Sequence, residues 1–160
     1  MLQPATTSLF QAATSTFESL ALLFPERSSA EGADFVSLEA TVSVSYRGAA
    51  GIGRMVVGVT AGVLPALAEN MLGSAVTPDL RMQRDALGEL ANVVTGNVLP
   101  LINGPSAVFR LDAPAPAGDA PFTLQDGETQ VAFTRLQMDE GEAILALFTR
   151  QACRVMTPPA

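Results

Sequence analysis

Three polar side chains, Asp85, Glu89 and Asn92, follow one another at helical spacing in the middle of the chain. Offsets of four and then three residues place them on one face of an α-helix, about one turn apart. The same stretch carries an apolar stripe that should face the core and consists of Leu87, Leu90, Ala91, Val94, Val98 and Leu101. A carboxylate and a carboxamide that project together from an exposed helix face could enter the site of a partner protein.

Two glycines, Gly88 and Gly96, border this polar row. A glycine inside a helix costs about 1 kcal/mol relative to alanine, so each of them needs a reason. One reason is clearance for the backbone of a partner, and the other is tight packing of the helix within the protein. The sequence leaves both alternatives open.

The composition excludes several classes of function. The 160 residues include no histidine, which excludes imidazole bases, Ser-His-Asp catalysis and the usual zinc sites, and we expect no metal site. The net charge of −7 and the scattered arginines argue against nucleic acid. Cys153 is the single cysteine, so no internal disulfide can form. Because no apolar run is long enough to cross a membrane, we expect a cytoplasmic protein without membrane contact.

The elements that must position the row are predicted as helix, hairpin, two helices, strand and hairpin. The predicted ranges are a helix over 5–24, strands over 35–47 and 52–60, a helix over 61–72, a central helix from 77–79 to about residue 99, a strand over 107–111, an extended loop over 114–121 and a hairpin over 129–150. Pro100 should stop or kink the central helix. This order predicts an α+β fold of two layers, one mostly antiparallel sheet covered by helices. We expect a single domain over 1–155 and a frayed tail over 156–160.

Two other motifs are weak. Gly51-Ile-Gly53 superficially resembles a phosphate-binding loop, but Val56 stands where the third glycine would be and no helix follows directly. Asp139-Glu140-Gly141-Glu142 could suggest a Ca²⁺ site, but it lacks the spacing of an EF-hand loop. We interpret this acidic stretch as the tip of a hairpin.

The row Asp85-x3-Glu89-x2-Asn92, with Pro114 downstream, resembles the signature of the CheC/CheX/FliY chemotaxis phosphatase family. The surrounding Ala-Leu-Gly-Glu-Leu-Ala-Asn-Val-Val-Thr-Gly-Asn is typical of that family, and so is the succession from Gly53 to Gly73. CheC-type members carry the signature twice. The first helix here offers only a serine, an alanine and a serine at the matching positions 8, 12 and 15, so the resemblance is closest to CheX, with one site.

The resemblance implies a phosphatase whose substrate is a CheY-type response regulator phosphorylated on an aspartate. It assigns Asn92 to position the attacking water and Glu89 to pair with the regulator's lysine. Asp85 would be a weaker positioning residue among the binding residues, one that caps or orients the helix, and Gly88 and Gly96 would give clearance for the partner's loops. The protein would need no cofactor of its own, because the phosphorylated partner supplies Mg²⁺. The resemblance also implies a homodimer, formed through the sheets.

Two alternatives remain at this point. The first is a non-catalytic dimeric module of the same fold, which docks a response regulator or a flagellar switch component without hydrolysis. The second is a small-molecule sensor with a pocket between helices and sheet, although no convergent polar cluster in the sequence supports it.

Overall fold

The computed structural model describes residues 4–29, 36–73 and 77–150. Over these ranges the chain forms one antiparallel sheet and three helices, which confirms the predicted α+β class. The helices are α1 (Pro4–Ala21), α2 (Val63–Leu72) and α3 (Leu80–Asn103). The strands are β1 (Glu26–Arg27), β2 (Ala40–Gly48), β3 (Gly51–Val59), β4 (Phe109–Leu111), β5 (Ala115–Pro116), β6 (Glu128–Met138) and β7 (Gly141–Arg150).

The sheet is built around the two predicted hairpins. Its strand order is β1-β6-β7-β3-β2-β4, and β5 pairs with β2 beside β4. Residues 49 and 50 join β2 to β3, and residues 139 and 140 join β6 to β7. Two-residue turns suit the twist of antiparallel strands. Both hairpins are therefore confirmed, and β3 pairs with β7 to join them in the middle of the sheet.

The three helices form a second layer on one face of the sheet. Helix α1 lies over β6, α3 lies over β2, and α2 contacts both of the other helices. The core between the layers is apolar, and its fully buried large side chains include Leu9, Phe17, Val44, Met55, Leu87, Leu90, Val94 and Leu145. The two-layer arrangement is the predicted one. Within the described residues, no helix combines the length and the apolar composition that crossing a membrane requires.

The opposite face of the sheet carries a second, smaller apolar cluster. Val56, Ala146 and Phe148 form it, and Ala117 and Phe122 from the segment after β5 pack against it. Strands β3 and β7 are consequently buried on both faces over most of their length. This double burial explains why their sequences are nearly continuous apolar runs.

The central helix differs from its prediction at the carboxyl end. Helix α3 continues through Pro100 to Asn103 instead of stopping near residue 99. The missing N–H of Pro100 leaves the carbonyl of Gly96 without its helical donor, and Gly96 is exposed, so solvent can satisfy it. Gly104 ends the helix, and its N–H donates to the Pro100 carbonyl at 2.9 Å.

Other boundaries also shift. Helix α1 ends at Ala21, before the predicted residue 24, because Leu22 has a left-handed backbone with φ of 53°. Strand β2 begins at Ala40, later than predicted, and α2 begins at Val63. The predicted tail over 156–160, the end of the predicted domain and Cys153 lie outside the described residues.

Two very short strands were not predicted. In the predicted extended loop, Ala115 and Pro116 pair with β2, and the N–H of Ala117 donates to the carbonyl of Thr41 at 3.3 Å. Alternate residues of a strand face its neighbour, so the nitrogen of Pro116 faces away from β2. Strand β1 pairs with only two residues of β6.

Candidate functional site

Helix α3 is fixed at its start by a side-chain cap. Asp79 has an extended backbone, and its carboxylate accepts a hydrogen bond from the backbone N–H of Met82 at 2.9 Å. The sequence Thr77-Pro78-Asp79 predicts this start, and the structure confirms it. The cap sets where the first turn begins and therefore which direction each later residue of the helix faces.

The apolar stripe of α3 faces the core as predicted, except at its last member. Leu87, Leu90, Ala91, Val94 and Val98 are all fully buried. The prediction for Leu101 is wrong, because its side chain is 55% exposed. Ile102, four residues after Val98, packs against the core in its place. A spacing of four continues the stripe better than one of three in this last turn.

The polar row lies on the other face of α3. Asp85 and Glu89 are exposed, and Asn92 is half-buried. The Oδ1 atom of Asn92 is buried and accepts no hydrogen bond from any residue that the structure describes. Buried polar atoms in proteins are nearly always paired, so an unpaired one deserves a functional explanation. The oxygen of the Asn92 carboxamide therefore accepts no hydrogen bond from the described part of its own chain.

The row opens into a groove of about 700 Å³ between α3, the start of β2 and the segment after β4. One side is lined by Asp85, Gly88, Glu89 and Asn92 from the helix. Residues 114–119 form the outer wall, and residues 39–42 form the floor beside them. The structure therefore brings Pro114, predicted as part of the signature, next to the row.

Gly88 and Gly96 have different surroundings. A Cβ atom on Gly88 would lie 3.1 Å from Cβ and 3.4 Å from Cγ of Pro114, so the absence of a side chain lets the wall approach the helix. Gly96 is exposed, and a Cβ atom there would meet only Leu111, at 3.9 Å. Tight packing within the protein therefore explains the glycine at position 88. It does not explain Gly96, where the surface is open.

The groove is mainly acidic. Its lining includes the carboxylates of Glu39, Asp85, Glu89 and Asp119 and one cation, Arg84. Nowhere in the described ranges do three or more His, Cys, Asp or Glu side chains come together as metal ligands. The charge of the groove suits a partner that brings a cation with it.

The other sequence motifs have structural explanations. Gly51 and Gly53 begin strand β3, where the ring of Tyr46 lies across Gly53 and its hydroxyl donates to the Phe148 carbonyl at 2.8 Å. Burial raises the pKa of Tyr46. The acidic stretch 139–142 lies at the tip of the β6–β7 hairpin, as interpreted, and its Glu142 pairs with Arg135 at 2.8 Å. Neither motif lines the groove.

Sequence reasoning missed one buried ion pair on the far face of the sheet. Arg54 and Glu128 have side chains that are 9% and 3% exposed, and Nε of Arg54 lies 2.7 Å from Oε2 of Glu128. The hydrogen bond from Arg54 lowers the pKa of Glu128. The one signal in the sequence is an arginine at the head of the apolar run 55–59, and it does not reveal its partner.

Comparison with known proteins gives a match to structures only. No family model matches the chain, and no curated protein matches it. A chemotaxis protein CheX from Desulfovibrio desulfuricans is 16% identical, with a TM-score of 0.71 over 91% of this chain and 99% of that one. CheX from Borrelia burgdorferi, solved as a CheX–CheY–BeF3–Mg²⁺ complex, is 17% identical, with a TM-score of 0.63 over 91% of this chain and 97% of that one.

The chain is also similar in structure to a protein that is not named CheX. The FliM middle domain from Vibrio alginolyticus is 12% identical, with a TM-score of 0.60 over 92% of this chain and 91% of that one. The similarity to CheX spans nearly the whole of both chains. The chain therefore has the fold of the CheC/CheX chemotaxis proteins, as the resemblance around Asp85, Glu89 and Asn92 predicts.

Proposed function

We propose that this protein is a phosphatase that acts on the phospho-aspartate of a CheY-type response regulator. The observation that supports it most is the unpaired carboxamide oxygen of Asn92 near the exposed carboxylate of Glu89, both lining one groove. The likeness to a CheX solved with CheY adds to this proposal.

The chemistry asks little of the protein's own side chains. A water oxygen attacks the phosphorus, the bond between phosphorus and the aspartyl oxygen breaks, and phosphate and the free carboxylate leave. The Mg²⁺ bound by the partner would stabilise the charge on the phosphoryl oxygens, so the phosphatase has only to orient the water. The protein would thus need no cofactor of its own.

Asn92 has the groups for orienting a water. Its carbonyl oxygen can accept a hydrogen bond from the water, and its NH₂ group can donate to a phosphoryl oxygen. A rotation about its Cβ–Cγ bond exchanges the oxygen and the nitrogen. Because Oδ1 forms no hydrogen bond with the described residues, this rotation breaks none at that atom.

Glu89 lies one turn before Asn92 and is exposed. In the proposed complex it forms an ion pair with the lysine of the regulator, which fixes the register of docking. Asp85, one turn earlier, adds negative charge at the end of the row and supports the same docking. Gly96 leaves the surface next to the row open to the partner.

The test measures the decay of a phosphorylated CheY-type regulator in Mg²⁺, with and without the protein. Asn92→Ala should lower catalysis on the order of 100-fold while it leaves much of the binding. Glu89→Ala should weaken binding as well as turnover. Matched controls are Asn103→Ala, at the far end of α3, and Glu69→Ala, exposed on α2; both should resemble wild type.

Two results would contradict the phosphatase. The first is decay that the wild-type protein does not accelerate with any cognate regulator. The second is wild-type kinetics for both Asn92→Ala and Glu89→Ala, which would put the site elsewhere.

A second candidate is a non-catalytic module that docks a response regulator or a flagellar switch protein. The likeness to the FliM middle domain favours this alternative, because it extends the fold beyond CheX. Binding of a regulator without any acceleration of its dephosphorylation would support the module over the phosphatase.

We also propose that the protein is a homodimer, on the basis of the resemblance to CheX. Light scattering after size exclusion gives the molar mass in solution. A mass of two chains is expected, and the mass of one chain at micromolar concentration would contradict the dimer.

A further inference from the structure

The outer wall of the groove belongs to a segment that crosses from one side of the sheet to the other. Residues 112–128 begin beside the groove, where residues 114–119 line it. They continue over the far face, where Phe122 packs on the small apolar cluster, and they end at Glu128, the first residue of β6. Gly118 and Gly127 have φ of 84° and 80°, so the part between them is bounded by two left-handed turns.

Arg54 of β3 holds this segment from the far face. Its four hydrogen bonds all go to the 112–128 segment: Nε and Nη2 donate to the two carboxylate oxygens of Glu128 at 2.7 and 3.0 Å, Nη1 donates to the Pro121 carbonyl at 2.9 Å, and Nη2 donates to the Thr123 carbonyl at 3.0 Å. Glu128 also accepts the backbone N–H of Gln125 at 2.8 Å. One buried side chain therefore fixes three points of the segment.

The guanidinium itself is fixed in turn. The Cζ atom of Arg54 lies 4.4 Å from the ring centroid of Phe148 on β7, and the whole residue is 8% exposed. A planar guanidinium can stack on a ring and donate in several directions at once, which the ammonium of a lysine cannot do. The contacts thus fix the segment relative to the two central strands of the sheet.

We propose that Arg54 is a positioning residue for the groove. By holding residues 121–128 on the far face, it fixes the path of the chain on which Pro114 contacts Gly88, and so the width of the groove beside Asn92. The consequence for catalysis rests on the proposed phosphatase, whereas the effect on the wall does not.

The first experiment follows backbone hydrogen exchange of the peptide 112–119 by mass spectrometry. It reports on the N–H group of Ala117, which donates to the Thr41 carbonyl at 3.3 Å. Arg54→Met should speed exchange of this peptide about tenfold or more, while peptides from α3 and β7 keep wild-type rates.

The matched control is Arg135→Met. Arg135 is also 8% exposed on the sheet and pairs with the half-buried Glu142 within the β6–β7 hairpin, so its loss removes an ion pair of a different part of the chain. It should leave exchange of 112–119 unchanged. If Arg54→Met does not fold, Glu128→Gln, which keeps the shape of the partner, is measured instead. Wild-type exchange of 112–119 in whichever of these variants folds would overturn the proposal.

The second experiment separates positioning from general stability. With a phosphorylated CheY-type regulator, Arg54→Met should raise KM several-fold with a smaller change in kcat, and Arg54→Lys should recover only part of this. Arg135→Met should leave KM unchanged even if it lowers Tm as much as Arg54→Met does. If KM instead rises in proportion to the loss of Tm in every variant, including Arg135→Met, Arg54 has only a structural role. If the wild-type protein has no phosphatase activity, the exchange result still decides whether Arg54 fixes the wall.

Discussion

A single added methyl group at Gly88 tests how the groove is built. Gly88 is buried in the middle of α3, and Gly96, two turns later, is exposed. Gly88→Ala places its Cβ atom 3.1 Å from Cβ of Pro114, closer than the 3.5–4.0 Å of ordinary carbon contacts. Pro114 must then move outward by a few tenths of an ångström. Gly96→Ala places its Cβ atom 3.9 Å from Leu111, which is an ordinary contact.

Both Gly88→Ala and Gly96→Ala gain helix propensity, but only Gly88→Ala overpacks the contact with Pro114. Replacing a glycine in a helix by alanine stabilises the protein by about 1 kcal/mol. Overpacking costs about 1–3 kcal/mol, and the exposure of Pro114 puts the cost of Gly88→Ala near the lower limit. We therefore expect no net change in the free energy of unfolding for Gly88→Ala and a gain of about 1 kcal/mol for Gly96→Ala. For a chain of this length the gain raises Tm by about 2–4 °C.

Calorimetry of both variants gives the comparison, and regulator dephosphorylation gives the consequence for function. Gly88→Ala should have the Tm of wild type and reduced phosphatase activity, because the wall has moved beside Asn92. An equal rise of Tm in both variants would refute the packing of Pro114 on Gly88. A loss of activity in Gly96→Ala, with its raised Tm, would instead support the clearance that the resemblance assigns to that glycine.

Three further predictions follow from burial and charge. Leu87→Ala should lower the free energy of unfolding by about 2–5 kcal/mol, whereas Leu101→Ala should change it by less than about 0.5 kcal/mol, both measured by urea unfolding. Tyr46→Phe removes the hydroxyl that donates to a buried carbonyl of β7 and should cost about 1–3 kcal/mol in the same assay. Because Arg54 holds the pKa of Glu128 below its ordinary value of 4.5, the ion pair stabilises the fold fully above that value and loses this contribution as the pH falls through the lowered pKa. The stability difference between wild type and Glu128→Gln should therefore shrink between pH 5 and the acid limit, and a constant difference would contradict the assignment.

The larger elements were predictable because each carries its own periodicity. The strands of the two hairpins either alternate apolar and polar residues or are continuously apolar, and turn residues separate them. Helix α3 has a start signal at Asp79 and an apolar stripe with a period of 3.6 residues. Strands β1 and β5 have only two residues each, too few for any period, and they exist because β6 and β2 offer them an edge. The predicted end of α3 is wrong because Pro100 indicates a stop near residue 99, whereas the helix continues to Asn103 and is capped by Gly104.

The candidate site divides in the same way. The positions of Asp85, Glu89 and Asn92 on one face follow from local spacing, and the structure places them there. The close approach of Pro114 to Gly88 depends on a segment that returns from elsewhere in the chain. Such long-range contacts leave no periodic signal in one sequence.

Arg54 is the clearest case of what the sequence hides. It is separated by 74 residues from Glu128, and its other acceptors are backbone carbonyls. Carbonyls are present at every residue, so their use by a side chain cannot be predicted from residue types. The ion pair becomes visible only once β3 and the 112–128 segment are placed together.

The short strand β5 also limits how this sheet can grow. Strands that add to a sheet edge need N–H donors along it, and the nitrogen of Pro116 faces outward without a hydrogen. Pro114, two residues earlier, has no N–H either. The two prolines therefore disfavour the pairing of another chain along residues 114–116, which lowers the tendency of this part of the edge to seed ordered aggregation at high protein concentration.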